Sequence, residues 1–160
     1  MKDLLFWEDD AVFSYRVGGL LQRDGRVLFQ SVPGDEGLAI PGGHVAFGEE
    51  NAAALAREFQ EELGVTVEVG RLRAVGEIFF PWRKRPCHQI CLYYDVRVVA
   101  GEVPAAPFDS VDEMDGYNAH VRFHWVPLAS LPGAVVYPPQ LVPVLMDLDA
   151  PISHFVYHQA

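Results

Sequence analysis

The run from Gly43 to Val65, GHVAFGEENAAALAREFQEELGV, constrains this chain more than any other stretch. Within it Glu58, Glu61 and Glu62 stand at i, i+3 and i+4, which on a helix brings three carboxylates to one face within reach of each other. Like charges that close disfavour each other's ionised forms, so the helix requires a cation among them or gives up charge by protonation. A hard divalent metal answers that requirement. The spacing by itself leaves two arrangements, a helix set beside a cleft that holds such an ion and a charged helix face left in solvent.

The surrounding pattern says how. Val12 to Leu21 and Arg26 to Val32 are apolar and β-prone, and Asp24-Gly25 between them is a tight-hairpin signal. Leu38-Ala39-Ile40 leads into Pro41-Gly42-Gly43, a sharp turn at which backbone approaches something closely. The helix is expected over Ala52 to Leu63, with Asn51 as its N-cap and Gly64 as its left-handed C-terminal residue. Ala52, Leu55, Phe59 and Leu63 form an apolar stripe expected to anchor it. Val65 to Phe80 and Gln89 to Ala100 read as long strands, the first bent near Gly70 and Gly76. The acidic, proline-containing stretch 101–118 reads as a loop, Val121 to Val126 as a strand, and Pro138 to Met146 as a closing helix weakened by Pro143. Two helices and several strands joined by hairpins predict an α/β chain in which a mixed sheet is covered on both faces.

Length and charge narrow the function classes. At 160 residues, with half of them hydrophobic, residues 1–160 suit a single domain with a real core. A net charge of −10 argues against nucleic-acid polymers and anionic membranes as partners, while a small phosphorylated ligand stays open if metal ions supply positive charge. No stretch approaches the roughly 20 apolar residues of a membrane span, and the early residues lack a signal-peptide core, so a cytoplasmic protein is expected. Cys87 and Cys91, four residues apart on one strand, lie too far from each other for a disulfide and are expected as buried thiols.

With its gaps, the segment reads Gly43, five residues, Glu49, seven residues, then Arg57-Glu58-Phe59-Gln60-Glu61-Glu62-Leu63-Gly64-Val65. This resembles the Nudix box, the signature of the MutT-like Nudix hydrolases, with every defining position filled. The resemblance implies a Nudix-type α/β/α sandwich with a mixed central sheet. It also implies Mg²⁺- or Mn²⁺-dependent hydrolysis of a phosphoanhydride bond in a nucleoside diphosphate linked to another group. Carried over by position, Glu58, Glu61 and Glu62 resemble the family's metal-binding glutamates and the Gly42 carbonyl its backbone ligand. Arg57 and Glu49 would orient those side chains, and Glu61 or Glu62 would serve as general base. The donor set agrees independently, because Mg²⁺ prefers oxygen ligands and keeps several waters.

Substrate choice is expected outside the box. Phe79-Phe80-Pro81-Trp82-Arg83-Lys84-Arg85 is the one basic and aromatic cluster in an acidic chain. Phe80 and Trp82 offer faces for a base and Arg83 a charge for phosphate, while His44 follows the glycine pair toward a phosphate. In the loop containing Asp109, Asp112, Glu113 and Asp115, Glu113 is the candidate for a further metal ligand. Phe6 and Trp7 suit a homodimer contact as readily as the chain's own sheet. The substrate expected is a small nucleotide. The rival readings are a pyrophosphatase for ADP-ribose, a nucleotide sugar or a dinucleoside polyphosphate, and a Nudix-fold nucleotide sensor without turnover.

Overall fold

A computed structural model describes residues 2–114 and 117–160, with backbone alone for 111–114 and 117–119. Its spine is β2 (Val12–Arg23), which follows the short β1 (Leu5–Trp7). Asp24 and Gly25, both at positive φ, turn the chain tightly into β3 (Arg26–Ser31) as the Asp-Gly signal requires. Then come β4 (Gly42–His44), α1 (Asn51–Leu63), β5 (Thr66–Trp82), β6 (Arg85–Ala100), β7 (Phe108–Met114), β8 (Tyr117–Pro127), a 3₁₀ turn over Leu128–Gly133, α2 (Leu141–Met146) and β9 (Ser153–His158).

The sheet runs β7-β8-β3-β2-β6-β5-β9, with β1 and β4 also paired to β2. It is mixed as expected, for β2 and β6 run parallel, as do β5 and β9, while the other pairs are antiparallel. One edge of β2 carries three partners in succession: β1 at residues 12–14, β4 at 16–18 and β3 at 22–23. The short β4 is thereby held against the middle of the spine, and the loop after it delivers the chain to α1.

Alternation along β2 separates two cores. Val17 and Leu21 face α1, joined by Leu55, Phe59, Val67 and Val96. Leu20 faces the opposite way, with Ile78, Tyr93, Leu131, Leu141, Leu145 and Phe155. Helices thus cover both faces of the sheet, the α/β/α arrangement implied by the sequence. Among the described residues no helix is long and apolar enough to cross a membrane.

Several local expectations need correction. The residue before the helix, Glu50, occupies the N-cap position without a side-chain cap, and Asn51 instead accepts from the Tyr15 hydroxyl and donates to that of Tyr94. Of the expected stripe, Leu55 and Phe59 are buried and Leu63 packs against the same core, whereas Ala52 is exposed and Ala54 is buried instead. Gly64 does end the helix, at φ 67°, its N–H donating to the Gln60 carbonyl. The β5 strand slips register around Gly70, whereas Gly76 pairs regularly with Cys91. The stretch 101–118 is not all loop: its second part forms β7, paired with β8 through Phe108 to Met114. The closing helix begins only at Leu141, which puts Pro143 within its first turn, where a missing N–H costs nothing. Phe6 and Trp7 lie in β1, with Phe6 stacked on Phe13 and Trp7 tilted against Trp82, 5.1 Å between centroids.

Candidate functional site

Arg57 is the hub around which the acidic residues gather. Its Nε and Nη2 donate to the two oxygens of Glu49 at 2.8 and 2.9 Å, a planar fork matched to a carboxylate. Nη1 donates to Glu58 Oε1 at 2.9 Å and to Glu61 Oε2 at 3.3 Å, and Nη2 also reaches the His44 carbonyl at 3.1 Å. Glu49 is fixed further by the Ala46 N–H. The loop between β4 and α1 is thus fastened to the helix at both ends.

The carboxyls differ in environment. Hydrogen bonding from Arg57 holds Glu49 below the usual carboxylate range, and the same contacts hold the Arg57 guanidinium above its own. Glu58 goes the other way, pushed up to about 7 by burial despite its bond to Arg57. Its carboxylate lies against Gly43, where any Cβ would overlap the carboxyl group. Glu61 is largely exposed, at 58% of its side-chain surface against 13% for Glu58. Glu62 is half-buried, and its carbonyl accepts from Ser110 Oγ on β7. Gly42 sits in β4 directly across from Gly18. Glu58 and Glu61 share one guanidinium nitrogen, so Arg57 stands among these carboxylates as their cation. Among the described residues no three His, Cys, Asp or Glu side chains form a preassembled metal cage. The side chain of Glu113 lies outside the described residues, as do those of Asp112 and Asp115, whereas Asp109 ion-pairs with Arg122.

On the sheet face opposite α1 a second group assembles. The His44 ring nitrogen lies 2.9 Å from Ser14 Oγ, which donates to Gln89 Oε1 at 3.2 Å. Ser14 has a single proton, so His44 must be the donor to it, through Nε2–H. Burial lowers the His44 pKa to about 3, with the Arg16 charge adding to the effect, so the ring is neutral under ordinary conditions. Trp82 stacks on His44 at 6.1 Å and 10°, and Phe80 stacks on Trp82 at 6.4 Å. Three of the residues expected to meet substrate therefore form one aromatic row. Arg83 is exposed at the hairpin tip.

Sequence reasoning passed over Arg16. It stands across from His44 on one side and Cys91 on the other, half-buried, with no hydrogen bond from its guanidinium among the described residues. Its charge acts on both Glu58 and His44, and it borders a cleft of about 200 Å³ together with Gly18, Gln30, Phe80, Gln89 and Tyr137. The signal was a lone charge inside the otherwise apolar run Val12 to Leu21, since a cation in a buried strand has to be matched by something.

Cys87 and Cys91 are free and buried, and burial pushes both thiols up to about 11. They take no part in a nucleophilic arrangement.

Solved structures share the architecture. A MutT Nudix hydrolase from Burkholderia pseudomallei matches with a TM-score of 0.60 at 23% identity, over 84% of this chain and 96% of that one. A MutT protein from Bacillus halodurans matches with a TM-score of 0.62 at 13% identity, over 91% and 89%. An ADP-ribose pyrophosphatase from Streptococcus suis matches with a TM-score of 0.57 at 12% identity, over 89% and 98%. Likeness at these identities speaks for the fold alone. The sequence itself carries the family assignment: the NUDIX domain model matches residues 13–145, from the spine strand through α2. This chain belongs to the Nudix hydrolase family.

Proposed function

We propose that residues 1–160 act as a single-domain, Mg²⁺-dependent pyrophosphohydrolase, with Mn²⁺ as an alternative ion, that cleaves a phosphoanhydride bond in a small nucleotide. The observation that carries this reading is the placement of Glu58. A carboxyl buried against Gly43 and raised to about 7 is poorly stabilised as an anion by Arg57 alone. A second cation would favour its ionised form. The donors fit such an ion: carboxylates from Glu58, Glu61 and Glu62 with the Gly42 carbonyl are all oxygen, with no thiolate or imidazole, the set that suits Mg²⁺. Glu113 is proposed as a further ligand from the β7–β8 hairpin.

A bound divalent ion would neutralise diphosphate charge and lower the pKa of a water. The chain's residues do the rest. Arg57 orients Glu58 and Glu61 while its fork to Glu49 ties the helix to the loop after β4. Glu61, the more exposed carboxylate, or Glu62 beside it takes the proton of the attacking water. Arg16 offers its guanidinium to the phosphate chain at the mouth of the cleft, which matters in a protein of net charge −10. The row of His44, Trp82 and Phe80 gives the nucleotide ring an apolar face, and neutral His44 adds no charge to it.

Turnover on a panel of nucleoside triphosphates, nucleotide sugars, ADP-ribose and dinucleoside polyphosphates, with and without Mg²⁺ and with a phosphatase to reveal products, tests the reading. Metal-dependent release from at least one member is expected. Tight binding across the panel with no hydrolysis would replace it with a nucleotide sensor.

A further inference from the structure

The turn between β5 and β6 is built against its own backbone preference. Trp82 pairs with Arg85, leaving Arg83 and Lys84 as a two-residue hairpin loop with φ of 49° and 66°. Both positions lie in the left-handed region, where glycine or asparagine is favoured and long side chains are disfavoured. At the β2–β3 hairpin this same chain meets the same demand with Asp24-Gly25. Keeping two cations in left-handed conformations is the kind of local strain that collects at functional sites.

Lys84 borders a cavity. About 530 Å³ in volume, it lies at the end of the sheet between the β5–β6 tip and the end of β9, lined by Phe79, Phe80, Lys84, Arg85, His88 and His158 among others. The size suits a small-molecule subsite. Its walls are rings: Phe79 is stacked on His158 at 4.5 Å and tilted against His88 at 4.5 Å. Of its two permanent cations, Arg85 is engaged over the Trp7 ring and donates to the Asp9 carbonyl, whereas Lys84 has no ion pair or hydrogen bond among the described residues. Phe80 and Gln159 border this cavity and also the cleft at Arg16, so the two spaces adjoin.

We propose that the cavity at the β5–β6 tip is an anion subsite for a phosphate carried by the substrate beyond the unit lodged in the inner cleft. The enzyme would then select nucleotides phosphorylated at a second position, remote from the diphosphate. The hydrolase reading supplies the substrate class, but binding alone decides the subsite. Lys84, on the border of the cavity, supplies the charge that a glycine at this turn position would lack.

Equilibrium binding of AMP and of adenosine 3′,5′-bisphosphate in Mg²⁺ tests this, since neither probe contains a phosphoanhydride bond and neither is consumed. The wild type should bind the bisphosphate about tenfold more tightly, the size of one charge-assisted contact. Lys84→Gly should erase that advantage, leave AMP affinity unchanged and keep or raise Tm, because glycine relieves the turn. Added inorganic phosphate should narrow the gap without weakening AMP. Equal affinity for the two probes in the wild type, or an advantage retained in Lys84→Gly, overturns the proposal. Phosphate that weakens AMP to the same extent as the bisphosphate places the anion in the inner cleft and also overturns it. A substrate panel without turnover would count against the hydrolase reading and leave this binding result untouched.

Discussion

The carboxylate of Glu58 rests on the bare Cα of Gly43, so a helix side chain and a β4 backbone occupy space that any other residue at position 43 would fill. That contact sets where the buried acid points. It also explains why the glycine of the sequence motif lies fifteen residues before the glutamate it serves.

Gly43→Ala should therefore act on function more than on folding. The added methyl overlaps the Glu58 carboxyl, which must swing away from its place against residue 43. We expect metal-dependent turnover to fall by about 100-fold or more, with a stability loss of about 1–3 kcal/mol typical of overpacking. Steady-state kinetics and thermal melts check both.

Arg57→Lys should fail despite retaining the charge. A lysine has one nitrogen to place where Arg57 uses three against Glu49, Glu58, Glu61 and the His44 carbonyl. Loss of about 1–3 kcal/mol of stability and a marked fall in kcat are expected, since three hydrogen-bonded acids lose their fixed donor. Denaturant unfolding beside kcat measurements separates the two effects.

The pH dependence of the metal-free protein should carry the mark of Glu58. Its pKa rises from an ordinary 4.5 to about 7 in the folded chain, so between those values the folded state holds more protons than the unfolded one. Its contribution to stability is full below about 4.5 and is lost as pH rises through 7. Mg²⁺ must displace the proton, so affinity should weaken by up to about tenfold per pH unit below 7. Mg²⁺ titrations of wild type and Glu58→Gln between pH 5.5 and 8 test this, with the pH dependence from this carboxyl absent in the variant.

Arg16→Gln should raise KM for nucleotides by about tenfold or more, corresponding to the loss of a charge-assisted phosphate contact. The fold should hold, because no described hydrogen bond depends on that guanidinium. An unchanged KM with an intact melt would remove Arg16 from the phosphate path.

The helix and the first hairpin were legible because local chemistry decides them: Gly64 closes α1 and Asp24-Gly25 closes the turn whatever surrounds them. The strands β7 and β9 were not. Asp109, Asp112 and Glu113 have poor strand propensity, and β7 forms because β8 lies alongside to pair with it. Strand β9 depends likewise on β5, reached only after the chain has passed α2. At the site, helical spacing brings Glu58 and Glu61 to one face, whereas the parts of Arg57 and of Glu49, which precedes the helix, were implied by the resemblance to the family's signature. Arg16 could not be read, because its significance comes from strands on both sides of β2 that the sequence does not show to be neighbours.

The central claim is that Glu58 and its neighbours hold a divalent ion that drives phosphoanhydride hydrolysis. Mn²⁺ binding followed by electron paramagnetic resonance, alongside turnover of the best panel substrate, in wild type and in Glu58→Gln, addresses it most directly. Saturable Mn²⁺ binding and Mn²⁺-dependent turnover are expected in the wild type, both reduced by about 100-fold in the variant while Tm is preserved. Equal Mn²⁺ affinity and equal turnover in the two proteins would contradict it.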